Sequence, residues 1–238
     1  MAKDAHDRLI VALDYDRLVP AYEMASRLTG LAGMFKIGMQ LFTAEGPRAV
    51  EKLAKLGAGI FLDLKFHDIP NTVAGAVAAA AELPGVRLVN VHALGGPEMM
   101  RAAARAVSGR KNRPKVLGVT LLTSMGEEML GKLGILGPPE KRVVRLARLA
   151  KQAGLDGVVA SPLEVAEIRR ACRGKFITVV PGIRPARAEK NDQSRTATPA
   201  AAIRAGADYL VVGRPITAAR NPHAAAKEFL EEMSEALA

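Results

Sequence analysis

Gly59-Ile60-Phe61-Leu62-Asp63-Leu64-Lys65-Phe66-His67-Asp68-Ile69-Pro70-Asn71-Thr72 runs an apolar segment straight into an acid, an ammonium and a second acid, and then into a proline. The run from Gly59 to Leu62 has the length and bulk of a buried strand. Side chains two apart on a strand share a face, so Asp63 and Lys65 are expected to point the same way at its end. Asp68 follows in the loop, where Pro70 stops the strand and helical spacing takes over from Thr72. A carboxylate and an amine at the end of a core strand are costly to desolvate unless they are paired or used in chemistry. The stretch therefore reads either as a structural ion pair or as a reactive site, on a strand followed directly by a helix.

That strand-then-helix unit repeats along the whole chain. Residues 8–14, 34–38, 59–65, 87–92, 115–121, 157–161, 175–181 and 208–213 read as strands. Helical spacing occupies 21–28, 44–56, 72–83, 97–107, 140–152, 162–171, 199–205 and 222–236. Pro97, Pro162, Pro199 and Pro222 mark helix starts, and Gly30, Gly57, Gly154 and Gly206 mark ends. Eight such pairs in 238 residues predict an α/β fold, a (β/α)8 TIM barrel with a closed parallel sheet. An open doubly wound sheet is the competitor. Its dinucleotide form lacks support, because Leu13-Asp14-Tyr15-Asp16 stands after the first strand where a Gly-x-Gly-x-x-Gly would be needed. No Gly/Ser or Pro-rich linker divides the chain, so residues 1–238 are expected to form one barrel domain.

Composition narrows the function classes. A formal net charge of +10 raises nucleic acid as a partner, but aromatic residues make up only 4% with no Trp, and stacking platforms are scarce. Lys141, Arg145, Arg148 and Lys151 lie on one side of a helix whose other side carries Val143, Leu146, Ala147 and Ala150, the pattern of an outer helix with a solvated face. Nucleic acid is therefore not expected as the ligand, whereas a small anionic substrate would profit from the same positive field. Cys172 is the only cysteine, which excludes an internal disulfide and a cysteine-built zinc site. No apolar run approaches a membrane span and the N-terminus is charged, so a soluble, cytoplasmic protein is expected, with no membrane association.

In a parallel barrel the reactive groups stand at the carboxyl ends of the strands. Asp14 is there after strand one, Lys36 in strand two, Asp63 and Lys65 after strand three, Asn90 and His92 after strand four, and Thr120 and Thr123 after strand five. Arg184 follows strand seven, and Gly213-Arg214 follows strand eight, where barrels commonly bind phosphate. The polar connection 184–198, with Gln193 inside it, is too long for a simple turn and reads as a lid over a phosphorylated ligand. Plainer roles stand beside these. Asp14 and Thr72 each fit a helix cap, Lys36 fits the surface of an edge strand, and His67 and His92 fit hydrogen-bonded structural roles better than metal ligation. Met99, Met100, Met125 and Met129 read as packing residues.

With IVALD at 10–14, FKIG at 35–38, DLKFHDIPNT at 63–72, LLTS at 121–124, PGIRP at 181–185, NDQSR at 191–195 and YLVVGRPIT at 209–217, the chain closely resembles the orotidine 5'-phosphate decarboxylase family along its whole length. The resemblance implies decarboxylation of orotidine 5'-monophosphate to uridine 5'-monophosphate (UMP) and carbon dioxide in pyrimidine synthesis, with no metal and no organic cofactor. It implies Lys65 as proton donor to C6, Asp63 beside the departing carboxylate, and Lys36 holding Asp63 and reaching the ribose. Asp14 would bind ribose, Thr123 would border the pyrimidine, and Arg184, Gln193, Gly213 and Arg214 would hold phosphate. It further implies a homodimer in which Asp68 and Thr72 enter the neighbouring subunit's site. A barrel aldolase acting on a sugar phosphate with magnesium is the rival within this fold, and a non-catalytic nucleotide-binding barrel is the rival outside it.

Overall fold

The computed structural model describes residues 4–185 and 196–238. Eight parallel strands close into a barrel in chain order: β1 (Leu9–Ala12), β2 (Met34–Gly38), β3 (Gly59–Phe66), β4 (Val86–His92), β5 (Lys115–Val119), β6 (Gly157–Val159), β7 (Ile177–Val180) and β8 (Tyr209–Val212). Closure is direct, since β1 pairs with β2 on one side and with β8 on the other. Strands buried on both faces have no polar side to show, which is why β1 and β2 are buried at every position.

Alternation sorts the strand residues into two cores. Ile10, Ala12, Met34, Phe61, Leu88, Leu117, Val179 and Val211 fill the barrel interior. Their strand neighbours Leu9, Val11, Phe35, Ile37, Ile60, Leu62, Val89 and Val116 pack outward against the helices. The interior is a packed apolar plug as far as Ala12, Phe61, Leu117 and Val211, and polar chemistry begins one inward position further along the strands.

Two of the strand entries are held by one repeated device. Ala153-Gly154-Leu155-Asp156 and Ala205-Gly206-Ala207-Asp208 end helices through a left-handed glycine, with φ 88° at Gly154 and 102° at Gly206. Each then places an aspartate at the foot of a strand. Asp156 accepts the Val116 N–H at 2.9 Å and a two-pronged Arg113 contact at 2.6 and 2.7 Å. Asp208 accepts the Thr178 N–H at 2.7 Å and is paired with Arg169. The carboxylates thus cap strand N–H groups at the end of the barrel opposite the mouth.

Several boundaries differ from those the sequence predicts. The helix expected over 44–56 is two helices, Met39–Glu45 and Pro47–Ala54. Gly46 takes φ 61° between them and Pro47 cannot donate to the preceding turn, so the helical pattern continues in sequence while the axis breaks. The second-strand helix connection begins earlier than 21, at Leu18–Arg27. β5 and β7 are shorter than 115–121 and 175–181, and an additional short helix, Glu127–Lys132, occupies the connection after β5. Met129 on that helix is exposed, unlike the buried Met99 and Met100, so it is not a packing residue of this core. No helix among the described residues is long and apolar enough to cross a membrane.

Candidate active site

The mouth of the barrel is built by the next inward positions of the same strands. Met34 is followed on its face by Lys36, Phe61 by Asp63, and Leu88 by Asn90, and the parallel register sets Lys36 opposite Phe61 and Gly38 opposite Asp63. Lys36, Asp63 and Asn90 are all buried. A closed barrel has no edge strand, so the surface reading of Lys36 is excluded.

Lys65 reaches the same place by a different route. The β3–β4 pairing runs from Leu62 opposite Val89 directly to Phe66 opposite Val91, so Asp63, Leu64 and Lys65 arch away from the ladder as a bulge. At the arch Lys65 takes φ 50°, the one non-glycine in the left-handed region among the described residues. A lysine held there costs on the order of 1 kcal/mol, a cost that surrounding contacts must offset. The expected shared face of Asp63 and Lys65 is therefore realised at the head groups, but through a bulge and not through the regular pleat.

These residues form one charge network. Lys65 Nζ donates to Asp63 Oδ1 at 2.7 Å, and Asn90 Nδ2 donates to the same oxygen at 2.6 Å. Lys36 Nζ stands 3.4 Å from Asp63 Oδ2 and donates to Asp14 Oδ1 at 2.9 Å. Burial alone pushes the Asp63 carboxyl up, but Lys36 and Lys65, with the hydrogen bonds from Lys65 and Asn90, hold it below the ordinary aspartate value. Burial likewise depresses the Lys36 ammonium, yet Asp63 and Asp14 outweigh it and raise the group above the usual lysine value. Each buried charge of the network stands beside an opposite one, as buried charges must. Asp14 is bound to Lys36 and does not cap the helix after it, whose N-cap is Arg17.

A cavity of about 280 Å³ opens above this network. Asp14, Lys36, Asp63 and Lys65 line one side. Thr123 lies at the β5 side, while Arg184, Gly213 and Arg214 line the side after β7 and β8. Phe61, Val119, Val159, Ala160 and Val211 supply an apolar floor. Four cationic side chains and two carboxylates line it, an excess of positive charge suited to an anionic ligand. Gly213 closes in on Asp14, since a Cβ there would lie 3.7 Å from Asp14 Oδ2, and it heads the short helix Arg214–Thr217.

Asp68 and Thr72 do not line this cavity. Both are exposed, Asp68 accepting the Ile69 N–H at 2.6 Å and Thr72 lying in the first turn of the helix Pro70–Glu82. That helix has Ile69 at its N-cap and no side-chain cap, so the capping reading of Thr72 does not hold. Gln193 lies outside the described residues, as does most of the connection read as a lid. His67 and His92 meet with ring centres 5.4 Å apart, and burial, then His67 and Lys65, push the His92 imidazole below its usual value. The sequence reading placed Asn90 on this rim without a partner. Its two bonds, to Asp63 and to the Lys65 N–H at 2.8 Å, depend on the bulge and carry no signal in sequence spacing.

Among the described residues, the one grouping of three potential metal ligands is Asp4, His6 and Asp7, which precedes β1 at the opposite end of the barrel.

Known proteins match the chain over nearly its whole length. Residues 7–229 match the family described as orotidine 5'-phosphate decarboxylase / HUMPS. The chain is 52% identical over 233 residues to the orotidine 5'-phosphate decarboxylase of Trichlorobacter lovleyi, covering 97% of this chain and 96% of that protein. It is 54% identical over 242 residues to the enzyme of that name from Syntrophotalea carbinolica, covering 100% and 99%. Among solved structures, orotidine 5'-phosphate decarboxylase from Lactobacillus acidophilus superposes with a TM-score of 0.83 at 39% identity, covering 95% of this chain and 98% of that one. With a barrel whose mouth carries Asp63-x-Lys65 beside Lys36, and relatives matched end to end, the chain belongs to the orotidine 5'-phosphate decarboxylase / HUMPS family.

Proposed function

We propose that this enzyme decarboxylates orotidine 5'-monophosphate to UMP and carbon dioxide without a metal or organic cofactor, with Lys65 delivering the proton to C6. The observation that carries the reading is the Lys36–Asp63–Lys65 row in a cavity that Arg184, Gly213 and Arg214 also line. Breaking the C6–carboxylate bond releases carbon dioxide and leaves the electron pair on C6. No atom of the ring accepts that pair, so the barrier falls chiefly through charge already in place. Lys65 faces the developing carbanion, stabilises it and donates a proton from Nζ, and solvent reprotonates the amine on product release.

Asp63 holds Lys65 at 2.7 Å and sets a negative charge near the departing carboxylate. Lys36, anchored between Asp14 and Asp63, orients both acids, and Asp14 and Lys36 together take the ribose hydroxyls. Thr123 borders the pyrimidine above the apolar floor. Arg214 and Arg184, with the Gly213 backbone and Gln193, bind the phosphate, so binding energy from the phosphate end fixes C6 against Lys65.

The proposal extends to a homodimer in which Asp68 and Thr72 complete the partner's site. Supporting it, Asp68 and Thr72 sit beyond the cavity on an exposed loop and helix start, beside Ile69, which is 67% exposed. A surface of this kind beside two polar residues suits burial against a second copy. The buried free Cys172 is in keeping with a reducing, cytoplasmic location.

The test is an absorbance assay of orotidine 5'-monophosphate consumption with a chelator present, run on the wild type and on Lys65→Ala. Chelator-resistant turnover that Lys65→Ala abolishes is expected. Turnover that collapses with chelator and returns with magnesium would favour a metal-dependent barrel lyase instead.

A further inference from the structure

We infer that Asn90 is a positioning residue that fixes the bulge in β3, and through it the catalytic geometry of both Asp63 and Lys65. Val89 and Val91 pair with Leu62 and Phe66, so Asn90 lies across from the three residues that leave the ladder. Lys65 has left the regular pleat, and the Asn90 side chain meets it there, accepting the Lys65 N–H on Oδ1 at 2.8 Å while Nδ2 donates to Asp63 Oδ1 at 2.6 Å.

The orientation of the amide is fixed by its partners. A carboxylate can only accept and a backbone N–H can only donate, so only one rotation of the amide satisfies both. Asn90 is fully buried, which makes either unmet bond costly and keeps the side chain from wandering. Two consequences follow for the reaction. The Lys65 backbone is held in the left-handed conformation it would otherwise leave, so its ammonium starts from a fixed base. Asp63 Oδ1 is shared by Lys65 and Asn90 while Oδ2 stands on the Lys36 side, so the plane of the carboxylate is set as well. No shorter or longer side chain supplies both bonds. Aspartate keeps the acceptor but turns the donor into a second negative charge facing Asp63, and leucine supplies neither bond.

The functional half of this inference rests on the decarboxylase reading; the geometric half does not. The experiment measures kcat, KM, thermal midpoint and hydrogen exchange at the Lys65 amide for wild type, Asn90→Ala and Asn90→Asp. For Asn90→Ala, kcat is expected to fall roughly 100-fold, as for an ångström-scale misplacement of a reacting group, with KM changed less than about threefold because the phosphate end is untouched. Exchange at Lys65 rises while its neighbours in β4 stay protected. Asn90→Asp keeps the size and the acceptor, so it folds and keeps Lys65 protected, yet loses kcat through the altered Asp63. If Asn90→Ala keeps kcat within about threefold of wild type, or Lys65 remains protected in it, the inference is overturned. Should Asn90→Ala fail to fold, an Asn90→Asp enzyme with wild-type kcat overturns the functional half by itself. A wild type inactive on orotidine 5'-monophosphate would sink the decarboxylase reading alone, leaving amide exchange to decide the geometry.

Discussion

Lys65 Nζ lies 2.7 Å from Asp63 Oδ1, and the two residues come together across a bulge in which Lys65 has φ 50°. The ion pair is therefore made across a bulge and not by strand periodicity. On the proposed mechanism Lys65→Ala removes the proton donor, so kcat is expected to fall roughly 1,000-fold or more; Asp63→Asn, which loosens the lysine without removing it, is expected to cost less. The strain gives a separate signature. Alanine at φ 50° keeps the steric conflict that glycine lacks, so Lys65→Gly should be about 1 kcal/mol more stable than Lys65→Ala in urea unfolding. Equal stabilities would mean that residue 65 carries no such strain.

The phosphate end predicts a different kinetic pattern. Arg214 lines the cavity on the side away from Lys65 and Asp63 and heads the short helix after Gly213. Arg214→Ala is expected to lower kcat/KM roughly 100-fold or more, while leaving intact the Lys36–Asp63–Lys65 network to which the proposed mechanism assigns the bond cleavage. Steady-state kinetics with the phosphorylated substrate and with the unphosphorylated nucleoside separate the effects. The variant should lose most of the preference for the phosphorylated form, and a preference equal to that of the wild type would remove Arg214 from phosphate binding.

Asp68 predicts complementation between subunits. It lies outside the cavity of its own chain, so in a dimer Lys65→Ala and Asp68→Ala damage different halves of each site. Co-expressed in equal amounts, half of the dimers are mixed, and each mixed dimer has one intact site. The mixture should regain about one quarter of wild-type activity. Activity no greater than the sum of the two variants assayed apart would show that Asp68 serves its own chain or none.

Strand parity explains why so much of this site could be read in advance. Lys36 and Asp63 follow Met34 and Phe61 at intervals of two, and burial of the apolar members brings the polar ones to the barrel mouth. Asp14 and Gly213 follow Ala12 and Val211 in the same way. The eight strand and helix units were equally visible, because parallel strands buried on both faces are continuous apolar runs. What escaped was everything that departs from periodicity. The bulge at Asp63 to Lys65, the break at Gly46-Pro47 and the partners of Asn90 depend on register between neighbouring strands or on a local backbone choice. Asn90 stood out as polar within a buried strand, but nothing in its spacing said that it bridges the Lys65 N–H and the Asp63 carboxylate.

The foot of the barrel supports a prediction about stability, free of any effect on turnover. Asp156 is mostly buried, and although burial raises its carboxyl, the Arg113 hydrogen bonds, the Val116 N–H, and the charges of Arg113 and Lys115 hold it below the ordinary aspartate value. A depressed folded value means that the ionised carboxylate stabilises the native state at neutral pH. The contribution is lost as pH falls through that depressed value, because the wild-type group then protonates as well. Asp156→Asn keeps the shape but loses the charge, and should cost about 2 kcal/mol at pH 7, the range for hydrogen bonds to a charged group. The gap between variant and wild type should narrow on acidification below the ordinary carboxylate range, while kcat stays at the wild-type level throughout. Urea unfolding of both proteins at a series of pH values checks this. A gap that is constant with pH would assign the stabilisation to packing, and a gap that widens towards acid would reverse the sign of the linkage.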